Sequence, residues 1–195
     1  MNFLAHQYLA GDSESLKIGN FIADAVKGNA LLTYTKSIQQ GIVLHRQIDF
    51  FTDTHPVFLN SCKRLRKIFG HYAPVIVDIF YDHFLASKWN LYSPHELSDF
   101  ASASYSLLHN ESDWFPDKMK ITLHYMSQQN WLLNYANIEG IQKTLNGLAS
   151  RTKYSSGMEN AAPFLINHYK EFEFEFEVFF EEIINYTKEQ IASLN

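Results

Sequence analysis

The sequence has one cysteine, Cys62, in 195 residues, which excludes an internal disulfide and any zinc site built on several thiolates. Prolines number five and glycines eight. They fall mostly at the edges of apolar runs, the punctuation of helices joined by short connections. No stretch nears the roughly 20 apolar residues of a spanning helix, so no membrane role is expected. Positive charge is not in excess: 16 Lys and Arg against 21 Asp and Glu leave −5, which argues against bulk nucleic-acid binding. The start, MNFLAHQYLAGDSES, has no basic leader and meets Asp12 and Glu14 early. A secretory signal is therefore not expected, and a reducing cytoplasm fits the lone cysteine. There is no Walker loop, no GxSxG elbow and no GxGxxG fingerprint.

What is present is apolar: 46% of residues are hydrophobic and 15% aromatic, enough for one real core in a single domain over 1–195. The spacing predicts helices over about 16–27, ending at Gly28, and 36–51. A fresh start is expected at Thr54 and Pro56 with a stop at Gly70. Residues 73–89 form a strongly apolar run, with Val75, Ile76, Ile79, Phe80 and Phe84 available for the core. Ser93 to Glu96 reads as a capping box opening a helix to about His109. Pro116 and Asp117 start the next, ITLHYMSQQNWLLNY continues it or a successor, Ile138 to Arg151 form another, and 152–160 are a loop. The segment EFEFEFEVFF (171–180) alternates with the period of a strand. A lone strand has no partner in a helical chain, and Glu is a good helix former, so the expectation is a final helix from about 161 to 192. Phe172, Phe176, Phe179 and Phe180 then share a stripe, with Phe174 partly off it.

Three apolar segments carry ligand-type side chains. GNFIADAVKG holds Asp24, LHRQIDFFTD holds His45 and Asp49 four apart, and VDIFYDHF holds Asp78 and Asp82 four apart with His83 beside them. An ionised carboxylate in an apolar setting needs a cation, a metal or several hydrogen bonds. An i, i+4 pair from each of two facing helices can surround one cation, and a donor set rich in carboxylates points to Mn²⁺ or Mg²⁺ rather than a structural zinc. The competing reading is structural: Asp49 paired with Arg46, Asp82 facing solvent beside Lys88. His6 reads equally as a ligand, a substrate contact or a core histidine. Asp53, just before the helix junction, is expected to serve as a turn or cap residue at least as readily as a ligand. His71, His95, His109, His124 and His168 are scattered, and Cys62 has no base beside it. Lys63, Arg64, Arg66 and Lys67 form a basic island suited to an acidic partner or to a solvated face.

At these residues the chain resembles the acyl carrier protein phosphodiesterases. The similar blocks, in order, are MNFLAH (1–6), GNFIADAVKG (19–28), GIVLHRQIDFFTDTHP (41–56), DIFYDHFLASKW (78–89) and NGLASR (146–151). The resemblance implies an all-α, single-domain bundle related to the HD phosphohydrolase fold. It also implies Mn²⁺ (Mg²⁺ or Fe²⁺ as alternatives) and hydrolysis of the phosphodiester between 4′-phosphopantetheine and a serine of holo-acyl carrier protein. Carried onto this sequence, the metal candidates are Asp24, His45, Asp49, Asp78, Asp82 and His83, with Asp24, Asp82 and His83 as catalytic candidates. His83 is a candidate proton donor. His6, Arg46, Arg151 and the island Lys63, Arg64, Arg66 and Lys67 are candidate contacts to substrate and carrier. The doublet at 82–83 runs Asp then His, the reverse of the usual HD order, and helical neighbours point about 100° apart. Two other readings share these residues: a metal-dependent phosphohydrolase acting on a small nucleotide, and a non-enzymatic helical interaction protein.

Overall fold

The computed structural model describes residues 1–194 and contains eleven α-helices and no strand among them. At its centre is α5 (Ala73–Ser87), apolar nearly all round, with Ile76, Ile79, Phe80 and Phe84 sealed from solvent. A helix of that kind must be enclosed by others, and α1 (Phe3–Leu9), α4 (Pro56–Phe69), α9 (Ile138–Ala149) and α11 (Tyr169–Ser193) enclose it. Val75, expected in the core, is 40% exposed because it lies on the one open side of the first turn. A flank of α6 (Leu97–Asn110), α7 (Asp117–Gln128) and the single turn α8 (Trp131–Asn134) completes the bundle. One continuous apolar core runs through all of these. No helix among the described residues is long and apolar enough to cross a membrane.

The closest packing joins α2 (Glu14–Ile22) to α3 (Lys36–Thr54). A Cβ on Gly19 would lie 2.3 Å from the Ile38 carbonyl oxygen, and one on Gly41 would lie 2.6 Å from that of Leu16. The two backbones therefore touch where neither residue has a side chain, and every group carried on α2 is drawn close to α3.

Several boundaries differ from the sequence reading. The first predicted helix ends at Ile22 and passes into a 3₁₀ turn, Ala23–Ala25, that presents Asp24. Helix α3 runs on to Thr54, so Asp53 lies in its last turn and caps nothing. Pro56 opens α4 as expected, and Gly70, at φ 56°, follows its end. The box at Ser93 does not form. The Trp89 indole donates to the His95 carbonyl at 2.8 Å, holding that group out of a helix, and α6 opens at Leu97. Asn130, at φ 46°, divides α7 from α8. The last predicted helix is two, α10 (Ala161–Asn167) and α11, parted at His168. The alternating Glu–Phe run is helical. Phe172, Phe176, Phe179 and Phe180 are fully buried, and Phe174 is not partly off the stripe but 67% exposed.

Candidate metal centre

Four side chains from three elements meet at a cavity of about 330 Å³. Helix α1 brings His6, α3 brings His45 and Asp49, and the turn after α2 brings Asp24. His45 and Asp49 share a face of α3 by their i, i+4 spacing, and His45 Nε2 lies 3.1 Å from Asp49 Oδ2 and 3.4 Å from Asp24 Oδ1. His6 Nε2 lies 3.2 Å from the other Asp49 oxygen. The two imidazole rings stack with centroids 4.2 Å apart. His6, His45 and Asp49 each offer a ligand atom within 4.8 Å of the others.

Asn20, on α2, decides the state of His45. Its side-chain amine donates to the His6 carbonyl at 3.0 Å. That carbonyl can only accept, so the Asn20 oxygen is turned to His45 Nδ1, 2.8 Å away. Nδ1 must then carry the proton and donate it, leaving Nε2 as the nitrogen aimed at the carboxylates. Metal-binding histidines are oriented by a hydrogen bond of this kind on the far ring nitrogen. His6 lacks such a partner, its Nδ1 being buried and unpaired.

The charges agree with that arrangement. Burial would lower the His45 pKa, but its hydrogen bonds to Asp24 and Asp49 outweigh this and raise it to about 9. Burial, with the neighbouring His45 charge, lowers His6 to about 4. Burial works against ionised Asp49, yet the bonds from His45 and His6 hold it well below the ordinary carboxylate range. The His45 hydrogen bond likewise lowers Asp24. Without metal the cluster is thus one imidazolium proton held between two carboxylates. A divalent cation can replace that proton, because two imidazole nitrogens and two carboxylates converge there with one tautomer already set.

The other sequence candidates are placed elsewhere. Asp78 lines the cavity, but its Oδ1 takes the α-amino group of Met1 at 2.8 Å. Asp82 is fully buried and accepts the backbone N–H groups of Asn2, Leu4 and Ala5 at 3.3, 2.8 and 3.3 Å. It therefore satisfies the otherwise orphaned donors at the start of α1 and fixes the helix that carries His6. Burial pushes its carboxyl up to about 7 against those three hydrogen bonds. His83 points another way: its Nδ1 donates to the Tyr135 carbonyl at 2.8 Å, and Nε2 meets the Tyr169 hydroxyl at 3.0 Å. Neither Asp82 nor His83 lines the cavity: Asp82 lies under the start of α1, and His83 is turned to Tyr135 and Tyr169. Asp82 does not face solvent beside Lys88, and Lys88 pairs with Glu173 and Glu177.

Arg46 does not pair with Asp49. Its guanidinium donates to the Val26 carbonyl at 2.9 Å and ties down the chain just after Asp24. In the basic island, Arg64 is held by Glu175 at 2.6 Å, while Lys63, Arg66 and Lys67 are exposed and make no ion pair among the described residues. Arg151 lies over the Trp131 ring at 6.0 Å. Burial raises the Cys62 thiol to about 12 and so keeps it protonated. Asn20 was missed in the sequence. Its signal was an amide between Gly19 and Phe21 on an apolar stretch, a polar group that needs partners once that face is buried, as it is here.

The family described as acyl carrier protein phosphodiesterase matches residues 1–183. Relatives carrying that same name include one from Photorhabdus laumondii, 33% identical over 89% of this chain and 88% of its own. One from Enterobacter sp. is 32% identical over 94% and 96%, and one from Yersinia pestis is 31% identical over 89% and 90%. No solved structure matches the chain. The chain belongs to the acyl carrier protein phosphodiesterase family.

Proposed function

We propose that this chain hydrolyses the phosphodiester joining 4′-phosphopantetheine to the serine of holo-acyl carrier protein, releasing the apo carrier and 4′-phosphopantetheine, with Mn²⁺ held by His6, His45, Asp49 and Asp24. Family membership supports the substrate. The chemistry rests on one observation: Asn20 sets His45 so that Nε2 faces Asp24 and Asp49, a ligand geometry already formed. A divalent cation bound there lowers the pKa of a water molecule and offsets charge on a phosphoryl oxygen. Oxygen ligands mixed with imidazole suit Mn²⁺, with Mg²⁺ or Fe²⁺ next.

The chain's own groups do the rest. Asp24, whose side chain is 61% exposed at the cavity mouth, orients the attacking water by accepting its hydrogen. The serine oxygen needs a proton as it leaves. His83 is engaged by Tyr135 and Tyr169 and does not line the cavity, so water in the cavity is left to supply that proton. Asp82 and Arg46 act as positioning residues, the first through α1 and the second through the Asp24 turn. An acidic carrier is expected to approach over Lys118, Lys143 and Arg151, which line the groove next to Asp24. Lys63, Arg66 and Lys67 on α4 are a second contact for it.

The test incubates the protein with holo-acyl carrier protein and Mn²⁺ and follows the carrier's intact mass. Loss of the phosphopantetheine group supports the reading. A carrier mass unchanged with Mn²⁺, Mg²⁺ and Fe²⁺ alike overturns it, and hydrolysis of a nucleotide phosphodiester in its place would favour a small-molecule phosphohydrolase.

A further inference from the structure

A second groove, of about 550 Å³, begins where the metal cavity ends. Asn2, Phe3 and Asp24 line both, so Asp24 stands between them. The groove is floored by apolar side chains, among them Phe3, Met119, Trp131 and Leu148. Lys118, Lys143 and Arg151 also line it, and of its six uncharged polar side chains three already donate to helix or turn carbonyls. Thr122 and Thr144 donate their hydroxyls to helix carbonyls, at 2.9 and 3.0 Å, and the Asn134 amine donates to the Gln129 carbonyl. Each therefore offers the groove an oxygen that accepts. Asp24 is the one carboxylate on the lining.

Helix α9 forms one wall, and two of its glycines behave differently. A Cβ on Gly140 would fall 1.9 Å from the Asn134 carbonyl oxygen, so packing requires glycine there. A Cβ on Gly147 would meet no heavy atom within 4 Å. Glycine inside a helix is less favourable than alanine, and among the described residues no neighbour accounts for it at 147. Its effect is to leave the groove open.

We infer that this groove binds the pantetheine arm of the substrate, an uncharged chain in which short methylene segments alternate with two secondary amides. Apolar floor and accepting oxygens match methylenes and amide N–H groups in turn, and the volume lies within the range of about 300–1,000 Å³ usual for small-molecule sites. The inference rests on the proposed function, since a phosphoryl group at the metal cavity places the arm beside Asp24.

Free pantetheine, lacking phosphate, is titrated into the metal-free protein while Trp131 emission and heat are recorded. Saturable binding is expected. Gly147→Leu, which fills the groove from an open position, should weaken it by about tenfold or more, with Thr144→Leu as a second obstruction should the first variant melt early. The same change should lower kcat/KM for holo-acyl carrier protein by about a hundredfold, with Mn²⁺ affinity unchanged. Wild-type protein that does not bind pantetheine, or folded variants that bind it as the wild type does, would overturn the inference whatever happens to the carrier. Pantetheine binding that the variants abolish, in a protein that leaves holo-carrier intact, supports the groove assignment and refutes the proposed function.

Discussion

Replacing Gly19 by alanine tests how the metal cavity is assembled. The new Cβ would lie 2.3 Å from the Ile38 carbonyl oxygen, 2.8 Å from the Gly41 Cα and 2.9 Å from the Ile42 nitrogen. All three are backbone atoms, so no rotamer change relieves the overlap. Ordinary contact for such atoms begins near about 3.5 Å, and α2 must withdraw from α3 by about 1 Å. Overpacking of this kind costs about 1–3 kcal/mol, and the better helix propensity of alanine offsets about 1 kcal/mol. A net loss of about 1 kcal/mol follows, or about 2–4 °C in Tm for a chain of this size. Asn20 and Asp24 ride on the same segment, so their hydrogen bonds to His45, 2.8 and 3.4 Å long, lengthen together. A shift of about 1 Å in such groups can remove about a hundredfold in rate. Urea unfolding, a Mn²⁺ titration and carrier hydrolysis read the three effects. A Gly19→Ala protein with wild-type stability and wild-type Mn²⁺ affinity would refute the claim that the glycine contact sets the spacing of the site.

Four further outcomes are expected. Asn20→Ala should weaken Mn²⁺ binding by about 10–100-fold, because the His45 tautomer is no longer fixed; a calorimetric titration measures it, and Asn20→Asp, which keeps the accepting oxygen, should recover part of the loss. Mn²⁺ binding at pH 7 should release about one proton, since His45 is protonated up to about pH 9 in the metal-free protein and His6 is not. Titrations in buffers of different ionisation enthalpy count that proton, and affinity should rise with pH until about 9, where His45 is already deprotonated. Asp82→Ala leaves three backbone N–H groups of α1 unpaired in the interior, a loss of about 3 kcal/mol or more visible in urea unfolding. Arg64→Ala leaves the buried Glu175 with only Asn60 and Ser61 as partners, which should cost stability while KM for the carrier changes little; a raised KM in a fully stable protein would return Arg64 to the docking surface.

The helical class and the wall formed by His45 and Asp49 were legible in the sequence because both follow from local spacing. The i, i+4 rule needs no knowledge of the rest of the chain, and the same holds for the stripe on α11. The partners of that wall were less legible, since they depend on which helices pack together. Asp78 and Asp82 obey the same spacing as His45 and Asp49, yet Asp82 caps α1, a contact between residues some eighty positions apart that no local pattern encodes. His6 was ambiguous for the same reason: the one ligand-type side chain of a seven-residue helix has no periodic companion. The failed capping box at Ser93 turned on a side chain only four residues away, the Trp89 indole, which takes the His95 carbonyl in a way no helical periodicity signals.

The measurement that bears most directly on the account is the position of Mn²⁺ in crystals of the protein, located by its anomalous scattering. The account expects one strong peak at bonding distance, about 2.0–2.3 Å, from His45 Nε2 and Asp49, with His6 and Asp24 completing the set and the Asn20 oxygen still on His45 Nδ1. A peak held by Asp78, Asp82 and His83, or none within the cluster at saturating Mn²⁺, would contradict it.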